Sequence, residues 1–216
     1  MKVIGVTGQL MAGKDVFCDY LAEELNKQEI KWKRTAFANA VKDTFCNAFG
    51  VDRDFIEKYK RLPDVPDGFL MPIRQCLQFI GDGFRKIRND IWIEIALRDN
   101  GENIIISDGR YFNEANAIRQ KNGLMFLMYR PGYINDDPNP SESQVKPLLI
   151  WAKNHLKDGA IDHKQLIHKH GVNVPCELQY YNYFLINDGS VDELKQKIKE
   201  QVVPYILGSN FYNDRF

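Results

Sequence analysis

The stretch Gly8-Gln9-Leu10-Met11-Ala12-Gly13-Lys14-Asp15 constrains this chain more than any other. It fits G-x-x-x-x-G-K, with Asp15 where Ser or Thr is usual. Before it runs Val3-Ile4-Gly5-Val6, an apolar run that predicts a first strand over 2–7. After it, Phe17, Leu21 and Leu25 recur at helical spacing and predict a helix over 13–27. Strand, glycine-rich turn and helix in that order make a P-loop. The glycines let the backbone turn tightly and aim N–H groups at phosphate. The helix N-terminus adds a partial positive charge and Lys14 a full one. Gly8, Ala12, Gly13, Lys14, Asp15 and Val16 are therefore the expected nucleotide-binding residues. Asp15 has two readings. Its carboxylate suits the first helical turn through the dipole alone. It could also hold Mg²⁺, directly or through water, in place of the usual hydroxyl.

The 216 residues suffice for one α/β domain with an insertion, and 44% hydrophobic residues supply a sizeable core. A formal net charge of +0 gives no global bias toward nucleic acid or an anionic membrane. Cys18, Cys46, Cys76 and Cys176 form no C-x-x-C pair and read as reduced thiols of a cytoplasmic protein. The N-terminus reads as a core strand and not a signal peptide, and no run is long enough to span a membrane. His155, His163, His168 and His170, with Cys176, match no standard zinc spacing.

Further along, Asn39 is the expected cap of a helix running to Phe49, stopped by Gly50. Residues 51–70 mix charge with Pro63, Pro66 and Gly68 and read as a mobile connection. Pro72 opens a helix expected to end at Gly81 and Gly83, with Arg74 and Gln78 four apart on one face. Another helix is expected over Asp90–Leu97. Asn103-Ile104-Ile105-Ile106-Ser107 is an almost wholly apolar strand, as in a parallel sheet covered on both faces. It runs into Asp108-Gly109-Arg110, with Glu114 near the start of the next helix. A carboxylate at the carboxyl end of such a strand lies where open α/β sheets bind ligands. Strands follow at Leu124–Tyr129, closed by Arg130-Pro131, and at Tyr183–Ile186. Ser190 and Glu193 form a capping box for a last helix. The expected fold is a three-layer α/β/α P-loop architecture with a mostly parallel sheet. Its core is 1–131 and 183–207, with 132–182 a helical lid or insertion and 208–216 a loose tail.

The P-loop ending Gly-Lys-Asp is followed by Arg74…Gln78…Gly81 with Trp92 beyond it, then Asp108-Gly109-Arg110 with Glu114, Arg130-Pro131, and Ile186-Asn187-Asp188-Gly189-Ser190. In this order the motifs resemble those of bacteriophage deoxynucleoside monophosphate kinases, across roughly 1–131 and 183–203. The R-x-x-x-Q-x-x-G, D-x-R-x-x-x-E and R-P set is much more specific than the P-loop alone. The resemblance implies transfer of the γ-phosphate of ATP to a deoxynucleoside 5′-monophosphate, with Mg²⁺, in the cytoplasm (a host's, if the gene is a phage's). It places Lys14 and Asp15 in the ATP–Mg²⁺ site, and Arg74, Gln78, Gly81 and Trp92 on the monophosphate side. Asp108, Arg110 and Glu114 fall in the catalytic cleft. Ala12 and Val16 depart from the Ser and Thr common there. After Arg-Pro the family often has a His and a Ser/Thr-Glu pair; Ser141-Glu142 resembles the pair, but no His precedes it. A nucleic-acid or membrane partner is not implied, and a homodimer is left open.

The chemistry needs two anions brought together and the charge on the moving phosphoryl group neutralised. Lys14, Arg74, Asp108, Arg110 and Glu114 are the catalytic candidates, and Asp15 and Asp108 the metal candidates. Arg74, Gln78, Gly81, Trp92, Arg110 and Arg130 are the candidates for the acceptor. The planar fork of Arg suits bidentate phosphate binding. Each has a bland alternative: Asp108 as a turn cap, Glu114 as a brace for Arg110, Trp92 as core. Other functions fit the same P-loop, namely a kinase of another phosphorylated acceptor such as phosphomevalonate, or a non-catalytic nucleotide-binding module.

Overall fold

The computed structural model describes residues 1–28, 31–98, 101–132 and 144–209. The Ser141-Glu142 pair, the Asp/Pro-rich start of the expected lid and most of the tail lie outside these residues. The chain forms two compact units, 36–98 and the remainder.

The larger unit carries a six-stranded sheet, ordered β2-β3-β1-β4-β6-β5. The strands are β1 (Val3–Gly8), β2 (Trp32–Thr35), β3 (Asn103–Gly109), β4 (Leu124–Tyr129), β5 (Gly159–Ala160) and β6 (Tyr183–Ile186). All pairings are parallel except that of β5 with β6. This is the expected mostly parallel α/β fold. Its central strands are largely apolar because both faces are covered. On one face Ile4, Val6, Ile105, Phe126, Met128 and Leu185 meet Phe17 and Leu21 of α1 (Lys14–Asn26). Leu194 of α9 (Val191–Lys197), Ile198 and Val202 of a π-helical stretch, and Ile206 of α10 (Val203–Gly208) complete that layer. The alternate residues face the other way. A Cβ on Gly5 would sit 2.6 Å from Ile118 of α6 (Phe112–Gln120), so α6 lies directly on β1. Helix α7 (Lys146–His155) packs against β4 and buries Leu148, Leu149 and Ala152. The capping box at the start of α9 forms as expected, Ser190 Oγ accepting from Glu193 N and Glu193 Oε2 from Ser190 N. The two-residue β5 and α8 (His163–His170) add to the edge of this unit.

The smaller unit contains α2 (Ala38–Phe49), α3 (Arg53–Tyr59), α4 (Ile73–Ile87) and α5 (Ile91–Ala96). Three expectations are corrected here. Helix α2 starts at Ala38, so Asn39 lies within its first turn and is not its cap. Residues 53–59 are helical, not a mobile connection: Asp52 Oδ1 accepts from Phe55 N at 2.7 Å, and Ile56 is fully buried beside Phe45 and Ile73. Their charges are engaged as well. Arg53 binds Asp43 at 2.6 Å and the Asn39 carbonyl at 2.8 Å. Lys42 and Lys60 hold the Glu57 carboxyl down at about 2. Lastly, α4 does not stop at Gly81 but runs to Ile87. Neither Gly81 nor Gly83 has a positive φ, and glycine weakens a helix by only about 1 kcal/mol.

Candidate functional site

The P-loop is built from β1 upward. Gly8 ends the strand so close to β4 that a Cβ would lie 2.4 Å from the Met128 carbonyl oxygen. The chain then turns through Met11 (φ 62°) and Gly13 (φ 92°) into α1. Gly13 is doubly constrained, because a Cβ would also lie 2.6 Å from Asn187 Nδ2. Lys14 opens the helix, and its Nζ donates to the Gly8 and Gln9 carbonyls, both at 2.7 Å. Its ammonium is thus folded back over the loop. Val16 packs its side chain against the core and offers no hydroxyl.

Three contacts hold the loop from outside. Asn187, 4% exposed just after β6, donates from Nδ2 to the Ala12 carbonyl at 2.9 Å. Gln9 donates from Nε2 to the Arg130 carbonyl at 2.7 Å, and Arg130 Nη1 reaches the Met11 carbonyl at 3.5 Å. Arg130 therefore lies at the crest of the loop. The sequence motif contains Asn187, but nothing local in it reveals that this amide supports a loop 175 residues away. Asn187→Ala should leave a buried carbonyl unpaired and cost about 1–3 kcal/mol. Denaturant unfolding checks the loss, and nucleotide affinity should fall with it because the loop is no longer held.

Asp108 and Gly109 end β3 beside this loop, and Arg110 follows. Gly109 pairs with Thr7 across a register shift in the β1–β3 ladder, and a Cβ there would sit 2.9 Å from Thr7 Oγ1. Glu114 is 3% exposed, and its Oε2 accepts from Arg110 N at 2.8 Å and Tyr111 N at 3.0 Å. Glu114 is thus a brace for the backbone that presents Arg110. Asp15 is 77% exposed and ion-paired with Arg34 of β2, which also binds both oxygens of Asp19 at 2.8 and 2.9 Å. Burial pushes the Cys18 thiol up, Arg34 opposes that, and Asp15, Asp19 and Asp108 add to it. Asp15 and Asp19, one turn apart on α1, thus share the Arg34 guanidinium.

Mg²⁺ binds through one or two carboxylates together with substrate phosphates and keeps several waters. Asp15 at the first turn of α1 and Asp108 at the end of β3 fit that donor set. Among the described residues, no group of three or more His, Cys, Asp or Glu side chains is placed to hold a metal by itself.

The smaller unit carries the other candidates. Arg74, Gln78, Gly81 and Arg85 fall along one strip of α4 by helical spacing. Arg85 lies over Gly81, its Nη1 3.3 Å from where a Cβ would be. Trp92 of α5 is 1% exposed and donates from Nε1 to the Gly81 carbonyl at 3.0 Å. Its ring packs on Phe84. Trp92 thus underpins the strip from within the core.

No family model matches the chain. A protein of Acanthamoeba polyphaga mimivirus, provisionally named a deoxynucleotide monophosphate kinase, is 26% identical over 70% of this chain and 86% of its own length. Among solved structures, a shikimate kinase from Acinetobacter baumannii is 15% identical, covering 100% of this chain and 96% of its own, with TM-score 0.46. A dephospho-CoA kinase from Campylobacter jejuni is 16% identical, covering 96% and 99%, with TM-score 0.42. The fold assignment rests on the strand order and the P-loop geometry. Among the described residues no helix is long and apolar enough to cross a membrane.

Proposed function

We propose that this chain is an ATP-dependent P-loop kinase of the cytoplasm whose acceptor is a deoxynucleoside 5′-monophosphate. The observation that carries the reading is the pairing of two built features in one unit. One is a P-loop with Lys14 at the N-terminus of α1. The other is the end of β3, Asp108-Gly109, paired to β1, with the Arg110 backbone held by Glu114. The name of the mimivirus relative and the order of the sequence motifs support the choice of acceptor.

In this reading the loop N–H groups and the helix dipole receive the ATP phosphates, and Lys14 turns from its two loop carbonyls to the β- and γ-phosphates. Arg110 neutralises charge on the phosphoryl group in transit, and Glu114 positions it. Asp108 orients the acceptor, and would orient water on Mg²⁺ were the metal bound there. Arg74 and Gln78 bind the acceptor phosphate, Gly81 lets Arg85 lie close to α4, and Trp92 supports Gly81. Arg130 steadies the loop crest. Asp15 and Asp108 would hold Mg²⁺, directly or through water, and it would supply further positive charge at the phosphates.

The deciding experiment is ADP release measured over a panel of acceptors. With a deoxynucleoside monophosphate, ADP should appear together with the deoxynucleoside diphosphate. If ATP binds but no such acceptor is phosphorylated, the acceptor assignment fails, and phosphomevalonate and other phosphorylated acceptors are the next to try.

Two further outcomes are expected. Asp15→Asn should raise the Mg²⁺ concentration needed for half-maximal rate more than it lowers the melting temperature. An unchanged metal requirement with lower stability would leave Asp15 as a helix-start residue only. Segment 132–182 is proposed to close over the nucleotides and exclude water. Hydrogen exchange should then slow in α7 and α8 when a bisubstrate inhibitor binds. Protection confined to the P-loop would rule against a lid.

A further inference from the structure

Acidic side chains beside a phosphate-binding loop pose an electrostatic problem. Asp15 follows Lys14 directly, Asp19 lies one turn on along α1, and Asp108 ends the neighbouring β3. Asp15 and Asp19 put two negative charges on the helix that opens at the loop. Like charges at such range weaken binding unless a cation intervenes. Lys14 is one cation there. Arg34 is a second, and it comes from a strand outside the P-loop motif.

Arg34 is unusually committed. One of its terminal nitrogens binds both oxygens of Asp19, and the other binds Asp15. Its side chain is only 32% exposed. The parallel pairing of β2 with β3 sets Arg34 opposite Ile105, three residues before Asp108 on the same strand. A Lys would meet both carboxylates with a single nitrogen, whereas the planar guanidinium gives each carboxylate its own. Asp15 and Asp19 are four residues apart on one face of α1, so they form a fixed receptor for the guanidinium.

We infer that Arg34 is a resident cation of the nucleotide site, balancing Asp15 and Asp19 so that ATP phosphates can enter the P-loop before any metal is bound. This rests on the P-loop being an ATP site. Arg34 is a positioning and charge-balancing residue, since it acts through the two carboxylates. With it gone, the carboxylates would repel the nucleotide, and a divalent cation would have to supply the missing charge. ATP affinity would therefore depend on Mg²⁺ more steeply.

The test is equilibrium binding of a fluorescent ATP analogue in EDTA and in saturating Mg²⁺, with melting temperatures for each variant. In EDTA, Arg34→Ala should bind about tenfold more weakly than wild type, a loss of about 1.4 kcal/mol. Saturating Mg²⁺ should remove most of that gap. Arg34→Lys should fall between. Asp19→Asn, which leaves the P-loop residues intact, should bind ATP in EDTA more tightly than wild type. That variant carries the test by itself if Arg34→Ala does not melt cooperatively. Equal affinity of wild type and Arg34→Ala in EDTA, with only the melting temperature lowered, would make Arg34 a structural ion-pair partner. So would no gain with Asp19→Asn. If the wild type itself binds no ATP in Mg²⁺, the nucleotide-site reading falls and this inference with it.

Discussion

Lys14→Ala should fold like the wild type and lose nearly all phosphoryl transfer. The two effects separate because the ammonium has little to do with the core. Its Nζ donates to the Gly8 and Gln9 carbonyls, but the loop is also held by Asn187 on Ala12 and by Gln9 on Arg130. Loss of the Nζ bonds to the Gly8 and Gln9 carbonyls should cost about 1–3 kcal/mol of stability, with the loop still held by its other contacts. The catalytic cost is larger. A charge placed on the β- and γ-phosphates counts most where charge shifts in the transition state. Removing one such donor costs about 100- to 1000-fold in rate. Single-turnover rates with ATP and a deoxynucleoside monophosphate, together with a thermal melt, check both halves. Full activity in this variant would remove the P-loop from the mechanism.

The P-loop was legible because its signal is local. Eight consecutive residues, a preceding apolar run and a following helical spacing specify strand, turn and helix without reference to the rest of the chain. The apolar β3 and the Ser190–Glu193 capping box are local in the same sense. What escaped depends on partners far apart in sequence. Arg34 finds Asp19 across 15 residues and Asp15 across 19. The only trace of this in the sequence is the spacing of the two acids on one helical face. Helix α3 was hidden because its charges dominate its composition, yet Lys42 and Asp43 of α2 engage Glu57 and Arg53, and Ile56 is buried. Gly81 and Gly83 read as a helix end because glycine so often follows one. In α4, Arg85 lies over Gly81 and the Trp92 indole bonds to its carbonyl, and the helix continues. Trp92 carries a signal that admits core or ligand equally, and only its burial tells which side chain surface it presents.

Arg74→Ala and Arg110→Ala should each damage kcat/KM for the deoxynucleotide far more than they weaken ATP binding. The two residues reach this expectation from different local settings. Arg74 is exposed near the start of α4, on the strip shared with Gln78, Gly81 and Arg85. Arg110 leaves the end of β3 on a backbone that Glu114 fixes through two N–H groups. A guanidinium on a phosphate makes paired, charge-assisted hydrogen bonds, so truncating it removes the bonds and leaves the anion uncompensated. The loss should be about 2–4 kcal/mol of transition-state stabilisation for each variant. For Arg74 it should appear mainly in KM, because a group that binds the acceptor phosphate holds ground and transition states alike. For Arg110 it should appear mainly in kcat, because charge on the transferring group grows only in the transition state. Glu114→Gln should reproduce a weaker form of the Arg110 effect, since the backbone loses a charged acceptor while the guanidinium stays. Steady-state kinetics at varied acceptor, with ATP affinity measured separately, distinguish these patterns. An Arg that serves only as a surface ion-pair partner would leave both constants where they are, and the acceptor role would then pass to Arg85 or Arg130.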